Sequence, residues 1–155
     1  MHDTLDAFSK AFADRILAVH SNWQAFMRTD RWAGEEADHL VIEVPAPKPR
    51  DIKSPLWIST RGRHIMVAFD HCHHGYTRMP RRHEAGIWSN PFVLLSAILN
   101  DDVAAASGWD GERLSISWWA ERDQEPTPTL RPVMDRIRVR SWLGTLDRDF
   151  AFKSP

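Results

Sequence analysis

Leu5, Phe8, Phe12, Ile16, Val19, Trp23 and Phe26 recur at steps of three or four, so a helix over about residues 4–28 would gather them on one stripe. Asp3 or Thr4 can cap its start, and Asp14, Arg15, Gln24 and Arg28 fall on the solvated side. Such a stripe must be covered by something, and most of the chain that follows changes its period from helical to strand-like. Leu114, Ile116, Trp118 and Ala120 alternate with Arg113, Ser115, Ser117 and Trp119. Ile137, Val139, Ser141 and Leu143 alternate likewise with Arg136, Arg138, Arg140 and Trp142.

Between these ends the punctuation is clear. Thr29 to Asp38, with Trp32 and Gly34, reads as a loop, and the β-branched run Leu40–Val44 reads as a strand stopped by Pro45, Pro47 and Pro49. Leu56–Ser59 and Ile65–Phe69 flank Thr60-Arg61-Gly62-Arg63, the spacing of a hairpin. Residues 75–88 carry Arg78, Arg81 and Arg82 without periodicity and read as a basic loop. Asn90-Pro91 is a helix start, and Phe92, Leu95, Leu99, Val103 and Ala106 continue at helical spacing until Ser107-Gly108. The order α-β-β-β-α-β-β predicts an α+β domain over residues 1–155. Its expected form is two-layer, with a mainly antiparallel sheet of about five strands and two helices on one face.

Composition narrows the function classes. A single cysteine, Cys72, excludes an internal disulfide and any zinc site built on paired cysteines. No run reaches the roughly 18 apolar residues of a membrane span, and His2, Asp3 and Asp6 do not suit a secretory leader, so a cytoplasmic protein is expected. The formal net charge of -1 gives no overall pull toward nucleic acid. Eight tryptophans favour an interface, because tryptophan is enriched among binding anchors, although most can equally serve the core.

Two constellations could carry chemistry. The apolar run Ile65–Phe69 passes into Asp70-His71-Cys72-His73-His74. Asp70, His71 and His73, with His64 or His83, are candidate ligands for Zn²⁺ or another divalent metal; the alternative is a strand tip whose histidines meet solvent or Asp70. Cys72 beside His71 could be an activated thiol, but neighbours on a strand point apart. The second constellation is a sheet face. If Ile137, Val139 and Leu143 face the helices, then Arg136, Arg138, Arg140 and Trp142, with Arg113 and Trp119, form an open face for an acidic partner or RNA. No Gly-rich phosphate loop, Gly-x-Ser-x-Gly elbow or His-Glu-x-x-His helix is present in the sequence.

Asp70-His71-Cys72-His73, with Gly75 and Arg78 after it, resembles the Asp-His-x-His segment of the endonuclease VII type of ββα-metal nuclease. That resemblance implies a metal-dependent hydrolase or nuclease centred on the segment. The family's two Cys-x-x-Cys pairs have no counterpart here. Three other segments resemble small bacterial immunity-type proteins encoded beside polymorphic toxins: Pro55-Leu56-Trp57-Ile58-Ser59-Thr60, Val67-Ala68-Phe69-Asp70-His71-Cys72-His73 and Val139-Arg140-Ser141-Trp142-Leu143-Gly144-Thr145. This resemblance implies a single α+β domain that binds and neutralises a cognate protein toxin; with the charge and the apolar-run lengths above, no cofactor, no membrane and no nucleic-acid partner are expected. Trp119, Arg136, Arg138, Arg140, Trp142, Arg78, Arg81 and Arg82 are then the expected contact residues. The toxin-binding reading leads, the metal enzyme is its rival, and an RNA-binding module is third.

Overall fold

Asp6, rather than Asp3 or Thr4, opens the first helix: its carboxylate accepts the Ser9 N–H at 2.8 Å, one turn ahead. The computed structural model describes residues 4–31, 33–34, 37–48, 50–81, 84–124 and 134–152. Helix α1 (Ala7–Val19) is shorter than its apolar stripe. The stripe continues through a 3₁₀ turn, Ser21–Phe26, whose three-residue period keeps Trp23 buried, and the chain then extends into β1 (Met27–Asp30).

Strands β2 (His39–Val44), β3 (Leu56–Ser59), β4 (Ile65–Phe69) and β5 (Cys72–Tyr76) follow, and with β1 they form a five-stranded sheet in sequence order. Every pairing is antiparallel. Strand β5 was expected as a polar tip and the start of a loop. It forms because Asp70 and His71 make a two-residue hairpin that pairs Phe69 with Cys72, and Asp70 takes φ 51°, a conformation aspartate tolerates.

Helix α2 (Pro91–Leu99) starts as expected, with Asn90 capping the Phe92 N–H at 3.0 Å, but stops well before Ser107. Asp101 adopts φ 55° and the chain reverses into β6 (Val103–Asp110). Alanine-rich and buried on both faces, β6 shows no alternation, so its helix-forming residues read as more helix. It lies between β7 (Arg113–Glu121) and β8 (Arg136–Arg140), with β9 (Arg148–Ala151) beyond, all antiparallel.

The class is therefore α+β, with a four-stranded sheet added to the five-stranded one that carries the helices. Phe12, Ala13 and Ile16 of α1 and Leu94, Leu95 and Ile98 of α2 cover Leu40, Ile42, Ile58, Ile65, Val67 and Phe69 on one face of the first sheet. Phe12 stacks on Phe92 with ring centres 5.2 Å apart, and Arg15 lies over the same ring at 4.6 Å while donating to the Pro80 carbonyl at 3.0 Å. The second sheet joins this core through Val103 and Ala105, with Trp142 just beyond β8, and buries Ala104, Ala106, Ile137 and Val139 in a smaller cluster on its other face.

Candidate binding face of the five-stranded sheet

Because side chains alternate along a strand, the residues left over by the core share the opposite face of the first sheet. The registers align Arg28, Val41, Ser59, Met66 and Gly75 in one row and Glu43, Trp57, Ala68 and His73 in the next. Among the described residues both α-helices pack on the other face, although His39, Val41 and Ser59 on this one are buried. It holds a concavity of about 590 Å³ lined by Asp30, His39, Trp57, Ser59, Arg61, His64, Met66, Ala68 and His73. A second concavity of about 370 Å³ shares Trp57, Ala68 and His73 with the first and extends to Lys53, Asp70, His71 and Leu114. Arg28 steadies one flank by bonding Glu43 at 2.7 Å and Asp30 at 3.4 Å.

The sequence-expected metal residues meet at the second concavity, which Asp70, His71 and His73 all line. They do not form a ligand set: among the described residues no three His, Cys, Asp or Glu side chains are grouped to hold an ion. One oxygen of Asp70 accepts the Lys53 N–H at 2.6 Å, and the His71 ring stands edge-on to Trp109 at 5.0 Å. Burial pushes the His71 pKa down despite nearby Asp70. His64 lines the first concavity instead, and His83 lies outside the described residues. Cys72 points the other way, into the core, where its thiol faces the Trp118 carbonyl at 3.0 Å and burial pushes its pKa up to about 12. That is the opposite of an activated nucleophile.

The Arg/Trp face is only partly open: Arg113 and Arg136 are exposed, Arg138 is half-buried, and Arg140 and Trp142 are buried. Arg136, Arg138 and Arg140 pair across β6 with Trp109, Ser107 and Ala105, on the side of the second sheet that meets the main core. Arg140 is 8% exposed and forks onto Asp149 at 2.8 and 3.0 Å. Arg138 holds the Asp51 carbonyl at 2.6 Å, and Arg136 lies over Trp109 at 5.3 Å. Trp119 is half-buried against the core, and Trp142, 6% exposed, meets the Phe69 ring edge at 5.8 Å. The burial of Arg140 and Trp142 follows from β6, whose position in the middle of a second sheet could not be read from its sequence. In the basic loop Arg78 pairs with Glu84 and Arg81 is exposed, whereas Arg82 lies outside the described residues.

Ser141 to Thr145 serve a structural purpose. Asp101, 1% exposed, accepts the Leu143 N–H at 2.8 Å, the Thr145 N–H at 3.0 Å, the Thr145 hydroxyl at 2.7 Å and the Ser141 hydroxyl at 2.9 Å. Burial alone would raise its pKa, but these hydrogen bonds outweigh it and the pKa is lowered. Sequence reasoning missed Asp30, His39, Trp57, Met66 and Ala68 as site residues. The alternation in Leu56-Trp57-Ile58-Ser59 carried the signal for Trp57, since burying Leu56 and Ile58 turns the indole to the other face. No protein-family model matches this chain, and no curated protein or solved structure shows significant similarity to it.

Proposed function

We propose that this protein is a binding protein of the immunity type, which neutralises a cognate protein toxin by docking it on the uncovered face of the five-stranded sheet. The observation that carries this reading is the pair of adjoining concavities on that face, joined at Trp57, Ala68 and His73. Trp57 comes from the first of the segments that resemble immunity proteins, and Ala68 and His73 from the second, so two parts separated in sequence converge on one surface. A half-buried tryptophan beside Met66, ringed by Asp30, Arg61 and histidines, has the composition of an interface centre with a polar rim. The third segment supports the fold through Asp101 and contributes to binding indirectly.

The test pairs the purified chain with the C-terminal domain of the protein encoded beside its gene. A stoichiometric complex, protection of cells expressing that domain, and loss of both in Trp57→Ala would support the reading. Stoichiometric Zn²⁺ or Mn²⁺ with a hydrolytic activity, both abolished in a His71→Ala/His73→Ala double variant, would replace it with the metal-enzyme reading.

A further inference from the structure

Asp70 is a costly residue for a turn. It is 5% exposed and takes φ 51° at the first position of the β4–β5 hairpin, where asparagine would serve as well. One oxygen, Oδ1, accepts the Lys53 N–H at 2.6 Å, a bond that an asparagine carbonyl would also make. The other oxygen, Oδ2, is buried and has no hydrogen-bond partner among the described residues. A buried carboxylate oxygen without a donor destabilises the fold, so its presence calls for a reason outside the hairpin.

The surroundings supply one. Asp70 lines the smaller concavity together with Glu43, which lies in the same cross-strand row as Trp57 and whose Oε1 already accepts from Arg28 at 2.7 Å. Lys53 lines it too, but no ion pair joins its ammonium to Asp70. The Trp57 indole, Pro55 and Leu114 complete the apolar part of the wall. The unpartnered Asp70 oxygen beside an indole, with the Arg28-paired Glu43 carboxylate on the same wall, suits the head group and stem of one long cationic side chain, through a charge-assisted hydrogen bond and a cation–π contact. We infer that this concavity receives an arginine or lysine side chain of the protein partner, with Asp70 Oδ2 as its buried acceptor. The inference rests on the docking reading above and specifies the partner's chemistry at one point.

The probe is N-acetyl-arginine amide, titrated into the full chain and followed by amide and indole NMR signals. Saturable shifts at Trp57, Ala68 and Asp70 are expected, with no comparable shifts from the glutamine and glutamate analogues. Asp70→Asn should weaken the arginine probe about tenfold while leaving the thermal midpoint unchanged or raised. Equal shifts from the neutral analogue, unaltered binding in Asp70→Asn, or a loss of several degrees in that variant would each overturn the inference. The adjacent gene's toxin domain separates the two claims. If Trp57→Ala weakens that complex while Asp70→Asn and Glu43→Gln do not, the cationic anchor is wrong and the docking face stands. If none of the three weakens it, the docking face fails as well.

Discussion

Asp101 shows most clearly how a single carboxylate shapes this protein. Its four hydrogen bonds hold residues 141–145, and its positive φ turns the chain out of α2, so asparagine keeps the turn but places an amide against N–H donors. Asp101→Asn should therefore cost about 2–4 kcal/mol, measured by urea unfolding at pH 7. The pKa of Asp101 is lower folded than unfolded, so its contribution is complete above roughly pH 4 and is lost as pH falls through the folded value. Stability curves of Asp101→Asn and the parent protein should accordingly converge in acid. At Cys72 the expected outcome is chemical silence. With the thiol buried and its pKa pushed up to about 12, a disulfide reagent at pH 8 should leave the native protein unmodified and label it promptly in denaturant.

Elements were legible where one face is apolar and the other polar. The first turns of α1 and the strands β3, β4, β7 and β8 were readable for that reason, whereas β2 was read from its β-branched run ending at Pro45 and the start of α2 from Asn90-Pro91. Strand β6 was hidden because both of its faces are buried and its residues, unlike the β-branched ones of β2, are small helix formers. Strand β5 was hidden for the converse reason: its His-rich outer positions and Gly75 look like loop, and its register is imposed by the Asp70-His71 hairpin. The omission of β6 explains why the arginine row of β8 reads as fully open: with β6 in place that side meets the main core, so Arg140 is buried while Arg136 stays exposed. Loop geometry gives a further prediction. Gly144 has φ 84°, and a Cβ there would run into the Arg50 guanidinium that bonds Asp147 at 3.1 Å and the Trp142 carbonyl. Gly144→Ala should destabilise by about 1–3 kcal/mol in thermal unfolding, through strain and the displaced arginine together.

In the whole molecule, the two helices cover one side of the five-stranded sheet, and the second sheet packs beside β5, with Leu114 reaching the rim of the other side and leaving the surface around Trp57 and Met66 available. Phe12, fully buried between α1, α2 and that sheet, measures how much the shared core matters, and Phe12→Ala should cost about 3–5 kcal/mol in denaturant unfolding. The asymmetry of covered and uncovered faces is also the basis of the functional account, so it supplies the most direct test. Met66 stands in the middle of the uncovered face, whereas Ser96 is exposed on α2, on the covered side. Each is changed to arginine, and affinity for the adjacent gene's toxin domain is measured by calorimetry alongside the thermal midpoint. The account predicts that Met66→Arg weakens binding by at least about thirtyfold while Ser96→Arg stays within about twofold, both folding normally. Undiminished binding by folded Met66→Arg, or a comparable loss in Ser96→Arg, would contradict it.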